Sequence, residues 1–231
     1  MVNVTAIVVA AGRGVRMGGT ENKVFLPLRD KTVLAHTLLK FEQCSMIDEI
    51  ILVTAEGEKE RCREEIVEYY GLRKIVRMVS GGIRRQDSVH RGLKAVNEHS
   101  KIVVVHDGAR PLFTPNLLQN CIDSAEKYRA AISAVQVKDT IKMVDRDGFI
   151  INTPAREVLW AIQTPQAFQY KLLWQAYAHG YENNLEVTDD ASLVESMGIK
   201  VKIVPGEYEN LKITTPEDMF LAEAILRRVK E

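Results

Sequence analysis

Several things are scarce in this chain of 231 residues, and each scarcity removes a class of function. There is no surplus of charge: 31 Lys plus Arg stand against 31 Asp plus Glu. A protein that lives on a nucleic-acid backbone draws its affinity from cationic surplus and counterion release, so no DNA or RNA partner is expected. Cysteine is rare, with Cys44, Cys62 and Cys121 alone and no C-x-x-C pair. That supports neither a disulfide framework nor a zinc site. Long apolar runs are missing too. The longest, Ala6 to Ala11, falls far short of the roughly 18 residues a membrane span needs. The start, MVNVTAIVVAAG, carries no basic n-region or cleavage signal, and the expectation is a cytoplasmic chain without a membrane partner.

What is present suits one well-filled globular unit. At 46% hydrophobic and 27% charged, the composition is far from that of disorder. Short β-branched runs at Thr5–Ala10, Glu49–Thr54, Ile75–Ser80, Lys101–His106, Ala131–Val137 and Ile199–Val204 alternate with helix-period segments. This is the pattern of βα units and a mainly parallel sheet covered on both faces. Helix ends are signalled by Thr188-Asp189-Asp190-Ala191 with Gly198 as stop, by Thr215-Pro216-Glu217-Asp218, and by Glu58 to Tyr70 closed by Gly71. One stretch departs from the rhythm. Thr140 to Thr153 alternates around Asp147-Gly148 as a hairpin does, and two strands cannot fold alone, so it should be an arm packed on something, most plausibly a second subunit.

Three loops follow strands on one side of the expected sheet. The first, Ala10-Ala11-Gly12-Arg13-Gly14-Val15-Arg16-Met17-Gly18-Gly19, frees backbone N–H groups for an anion and adds two arginines. Met17 stands where a dinucleotide fingerprint needs its third glycine, and no Gly-Lys-Ser/Thr makes it a Walker loop. Lys23 lies close enough beyond it to reach a polyphosphate; a bare strand-to-helix turn is the bland alternative. In the second loop, Gly81-Gly82 lets the backbone approach a flat base that Ser88 can read, unless Asp87 or Ser88 merely caps the next helix. The third is His106-Asp107-Gly108-Ala109-Arg110-Pro111. Asp107 suits a metal or a ribose hydroxyl and Arg110 a second anion, with local turn bonding as the alternative for Asp107. His106 reads as a packed strand-end residue outside the chemistry. Arg156, Gln163-Thr164-Pro165-Gln166, Thr188-Asp189-Asp190 and Asn210-Leu211-Lys212-Ile213-Thr214 read individually as ordinary loops.

Taken in order, AAGxGxRM, GGxxRxxSV, HDGARP, QTPQ, TDDAS and NLKIT resemble the 2-C-methyl-D-erythritol 4-phosphate cytidylyltransferases, from Ala10 to the last helix. The resemblance implies an α/β fold: a Rossmann-like, mainly parallel sheet of the nucleotidyltransferase type in a single domain over 1–231. A projecting β-hairpin arm at about 138–158 would join a homodimer. It also implies Mg²⁺-dependent transfer of CMP from CTP to a polyol phosphate.

Residue by residue, Arg16 and Lys23 would stabilise the transition state on the triphosphate. Ala10, Ala11, Gly12, Gly14, Gly82 and Ser88 would hold CTP, with Asp107 near the ribose and the metal, which the phosphates otherwise hold. Arg156 and Lys212 would place the methylerythritol phosphate, and Arg110, Thr140, Thr164 and Thr188 would line that half of the site. The chain departs from the family pattern at Asn22 and Val24, which flank Lys23 in place of Pro and Gln. It departs again at Asp30-Lys31-Thr32, and at Ile83, which replaces an acid beside the base.

Three rivals remain on the sequence. They are a ribitol 5-phosphate cytidylyltransferase, a nucleotide-binding module without catalysis, and a nicotinamide-dependent oxidoreductase, which needs a Tyr-x-x-x-Lys pair after a central strand.

Overall fold

The computed structural model describes residues 3–12 and 22–228. Its centre is a seven-stranded sheet in the order β11-β7-β10-β6-β1-β4-β5. These strands are β1 (Val4–Ala10), β4 (Glu49–Thr54), β5 (Ile75–Ser80), β6 (Ile102–Asp107), β7 (Ala130–Gln136), β10 (Trp160–Gln169) and β11 (Lys202–Pro205). β1 pairs in parallel with both β4 and β6, β4 with β5, and β7 with β11. Only β10 runs against its neighbours, β6 and β7. A minor hairpin, β2 (Pro27–Leu28) with β3 (Lys31–Thr32), precedes the first helix.

The pleat explains the layers. Val4, Ala6, Val8 and Ala10 of β1 join one buried cluster while Ile7 joins the other, as the two-residue period requires. The first cluster is covered by α1 (Val33–Gln43), α2 (Lys59–Cys62) with its π-helical continuation Arg63–Glu68, and α4 (Pro115–Tyr128). The second lies under α3 (Arg85–Leu93), α5 (Tyr170–Glu182) and α6 (Asp190–Ser196). A third, smaller cluster seats α7 (Pro216–Arg228) against Leu28, Val33 and Leu112.

The chain runs outward from β1 through β4 to β5, then returns across β1 to β6. The helices that follow β1 and β6, α1 and α4, both lie over the first cluster, while the loops after β1, β5 and β6 come together at one end of the sheet. They leave a crevice at the carboxyl ends, the place where open α/β sheets bind ligands.

The six expected strands form, β4 and β5 with the expected ends and the others with ends shifted by up to three residues. The expected loop Gln163-Thr164-Pro165-Gln166 is instead part of β10. Its ladder with β7 breaks between Ile162 and Gln166, so Pro165, which has no N–H to give, sits in the interruption. Asp189, not Thr188, caps α6, accepting from Ser192 N at 3.1 Å, and Gly198 ends that helix at φ +73°. The arm is a hairpin of β8 (Met143–Val144) and β9 (Ile150–Asn152). The three cysteines are free, with Cys62 and Cys121 buried. Among the described residues, no helix is long and apolar enough to cross a membrane.

Candidate active site

Two adjoining clefts open at the carboxyl end of the sheet, and three side chains form the wall between them. The first, of about 330 Å³, is lined by Ala10, Ala11 and Gly12 at the end of β1, by Lys23, by Gly82 and Ser88 beyond β5, and by Asp107 and Lys212. The second, of about 440 Å³, takes Arg110, Gln163, Thr164, Gln166, Thr188, Asp189, Ser192 and Glu195 over an apolar floor of Ile132, Ile162, Val201 and Ile203. Arg85, Asp107 and Lys212 belong to both.

Asp107 is the hub of that wall. It ends β6, is 7% exposed, and its backbone N–H donates to Thr164 Oγ1 at 3.0 Å. Its carboxylate meets Lys212 Nζ at 2.7 Å, Arg85 Nε at 3.2 Å and Arg110 Nε at 3.9 Å. Burial alone would drive the carboxyl toward its neutral form. Arg85, Lys212 and Arg110 outweigh it and hold the group well below the usual carboxylate range.

Arg85 is fixed from the other side by Asp190, whose Oδ2 lies 2.9 Å from Nη2. Asp190 in turn accepts from the Tyr177 hydroxyl at 2.5 Å. Burial opposes the Arg85 charge, yet Asp190 and Asp107 keep the guanidinium protonated and Tyr177 is pushed well above its ordinary value. Sequence reasoning quoted Arg85 inside GGxxRxxSV and gave it no part. Its acids stand 22 and 105 residues away, so no local spacing announces them.

His106 shows how the hub is held. Thr164 Oγ1 receives the Asp107 N–H and so gives its own proton to His106 Nδ1 at 3.1 Å, which leaves Nε2–H to donate to Arg110 O at 3.0 Å. Packed against Phe41 and Phe113 and wholly buried, the imidazole is driven down to about 3 and stays neutral. It is a structural residue, as the sequence suggested.

In the second loop the alternative in which Asp87 caps the next helix is realised. A Cβ on Gly81 would come within 2.2 Å of Ala11 Cβ, and one on Gly82 within 2.3 Å of Asp87 Cβ. The paired glycines thus let the loop lie against its own protein neighbours. Ser88 Oγ accepts from Gly82 N at 3.0 Å and donates to Arg84 O at 3.1 Å, and Asp87 caps α3 through Arg84 N at 3.2 Å. Ser88 lines the cleft, but its donor is spent on the loop.

Of the other sequence candidates, Arg16 and Gly14 lie outside the described residues. Arg110, Thr164 and Thr188 line the second cleft. Arg156 and Thr140 line neither: both are exposed on the arm, and Arg156 Nη1 donates to Lys138 O at 3.0 Å. Tyr-x-x-x-Lys spacings do occur at Tyr70–Lys74 and at Tyr208–Lys212. The first precedes the edge strand β5, at the end of the sheet away from the clefts, where Lys74 Nζ holds Cys44 O at 2.6 Å. In the second the side chains part, the Tyr208 hydroxyl donating to Gln136 O at 2.8 Å while Lys212 Nζ pairs with Asp107. Neither is an oxidoreductase dyad.

Among the described residues, no group of three or more His, Cys, Asp or Glu side chains can form a metal cage. Among the described residues, Asp107 is the single carboxylate at the first cleft. One ionised carboxylate in a cleft with few other acids fits Mg²⁺ where a ligand's phosphate oxygens and water would complete its shell, since that ion takes few protein ligands.

Comparison with known proteins agrees with this architecture. The family model described as 2-C-methyl-D-erythritol 4-phosphate cytidylyltransferase matches residues 4–228. Proteins of that name from Alkaliphilus oremlandii and Pelotomaculum thermopropionicum are 47% and 48% identical over 227 residues. These alignments cover 98% of this chain, and 96% and 95% of the relatives. Among solved structures, 4-diphosphocytidyl-2C-methyl-D-erythritol synthase from Anaerococcus prevotii superposes with a TM-score of 0.86 at 38% identity, covering 98% of this chain and 99% of its own. The cytidylyltransferase from Thermus thermophilus does so at 0.79 and 31%, covering 97% and 99%.

Proposed function

Since the chain belongs to the 2-C-methyl-D-erythritol 4-phosphate cytidylyltransferase family, we propose that its two clefts divide the reaction between them, one for each substrate. The enzyme transfers CMP from CTP to 2-C-methyl-D-erythritol 4-phosphate and releases pyrophosphate. The ribitol phosphate and non-catalytic readings are not favoured by the family match.

CTP occupies the first cleft, its base against Ala10, Ala11, Gly12, Gly82 and Ser88, and its triphosphate toward Lys23, Gly14 and Arg16. The acceptor occupies the second, beside Arg110, Thr164 and Thr188. An oxygen of the acceptor phosphate forms a bond to the α-phosphorus while the bond to the β-phosphate oxygen breaks. That phosphate is already ionised near neutral pH, so no side-chain base has to act. What the protein supplies is position and positive charge. The observation that carries this reading is the shared wall: Lys212 and Arg85 face both clefts, where two polyanions must meet.

Magnesium is proposed on Asp107 and the phosphates, where it would neutralise charge on the leaving pyrophosphate. Asp107 itself holds Lys212 and Arg85 in place. Thr140 and Arg156 are assigned across a homodimer. The whole chain is taken as one nucleotidyltransferase domain whose arm at about 138–158 carries them to the acceptor cleft of the other protomer. The exposed Met143, Val144, Phe149, Ile150 and Ile151 on that arm support the assignment. A cytoplasmic setting and the absence of nucleic-acid partners complete the proposal, supported by the neutral charge balance. Pyrophosphate release with CTP, with and without Mg²⁺, tests it: no release in the presence of Mg²⁺ and methylerythritol phosphate overturns the reaction, and undiminished release in EDTA overturns the metal.

A further inference from the structure

Asn22 is a polar side chain buried to 5% exposure at the edge of the nucleotide cleft, next in sequence to Lys23. Its carboxamide leaves nothing unused. Nδ2 donates to Ala10 O at 3.3 Å and to Glu58 Oε2 at 2.7 Å, while Oδ1 accepts from Val24 N at 3.4 Å. Its backbone carbonyl accepts from Phe25 N at 2.9 Å and starts the 3-10 turn Lys23–Phe25. One side chain thus ties together the end of β1, the residue before α2 and the turn that carries Lys23. The bond to Glu58 is charge-assisted, the stronger kind. A second tie runs parallel to it: the Arg61 guanidinium of α2 lies 4.0 Å over the ring of Phe25, itself 3% exposed.

We propose that Asn22, held by Glu58, is the positioning residue for Lys23: it anchors the lysine's backbone at the cleft so that the ammonium meets the triphosphate from a fixed base. This rests on the reading that Lys23 contacts CTP. A lysine has a long, entropy-rich side chain, and an unanchored Cα adds to what must be ordered when the nucleotide binds and reacts. Asn22 and a proline at this position would both hold the backbone at the same φ. The two residues reach rigidity differently, one by a ring that fixes φ and the other by side-chain bonds to two distant segments. Asn22 has φ −67°, the value a proline would impose.

The test is a double-mutant cycle on kcat/KM for CTP, with thermal midpoints recorded alongside. Asn22→Ala is expected to lower kcat/KM by roughly tenfold to a hundredfold, leaving the acceptor KM within about twofold. In a Lys23→Ala background the same substitution should change kcat/KM by less than about twofold, because the residue it positions is gone. Glu58→Ala, at a half-buried site, should reproduce the effect and serves should Asn22→Ala not fold. Glu58→Gln keeps an acceptor for Nδ2 and should recover most of the loss. Full additivity of Asn22→Ala, or of Glu58→Ala in its stead, with a costly Lys23→Ala overturns the positioning role alone. A Lys23→Ala enzyme with undiminished kcat/KM overturns the Lys23 reading and the positioning role with it.

Discussion

Arg85 connects the interior to the site, since its guanidinium bridges Asp190, 1% exposed, and Asp107 at the cleft wall. Removing one partner from a buried ionic network leaves charge without compensation, which costs about 3–5 kcal/mol. Arg85→Met is therefore expected to lower the urea unfolding free energy by that order. Arg85→Lys, a point charge unable to span both acids, should keep more of the stability and still lose activity. Equal activity in Arg85→Lys and wild type would contradict the bridging role. Lys212 tests the wall from the other side. Lys212→Ala should cost a factor of roughly 10² to 10³ in kcat/KM if its ammonium acts on developing charge, and steady-state kinetics on both substrates would show it.

His106 makes the fold acid-sensitive. Its folded-state value is near 3 against an ordinary 6.5, so between those values the unfolded chain binds a proton that the folded chain refuses. Its contribution to stability is fully present above pH 6.5 and declines as pH falls toward 3, by at most about 1.4 kcal/mol per pH unit. His36 and His90, both lowered mainly by burial, act in the same sense. Urea midpoints should drop from pH 6.5 to 4.5, and the drop should be shallower in His106→Gln. Parallel profiles would contradict the assignment.

Among the elements, those legible in the sequence were the ones buried on both faces. β1, β4 and β6 read as unbroken β-branched runs because helices cover both sides of them. β10 was missed for the opposite reason. Its Gln163 and Gln166 are buried polar residues with partners far along the chain, and Pro165 is a residue that argues against a strand, tolerated here at a break in the ladder. Missing it hid why Thr164 matters, since only an antiparallel neighbour of β6 brings that hydroxyl to Asp107 N.

The arm was legible from its alternation and its Asp147-Gly148 turn, but Thr140 and Arg156 upon it face neither cleft of their own chain. Paired substitutions Phe149→Asp and Ile151→Asp should convert a dimer to monomer in sedimentation and lower activity together with it. A monomer of undiminished activity would contradict the role given to the arm.

For the whole molecule, the zero net charge is a cancellation with a pattern. Glu182 to Glu195 holds five acids and no Lys or Arg, whereas Lys23, Arg85, Arg110 and Lys212 converge on two small clefts at the topological switch. That distribution suits small polyanions. The sheet order, with β1 between strands added on either side, is what places those clefts next to each other.

The most direct test of the account is pyrophosphate release with Mg²⁺ across CTP, UTP, ATP and GTP, each paired with methylerythritol phosphate and with ribitol 5-phosphate. The account predicts fast release with CTP and methylerythritol phosphate, and little with any other pair. No release from that pair, or faster release with ribitol 5-phosphate, would contradict it.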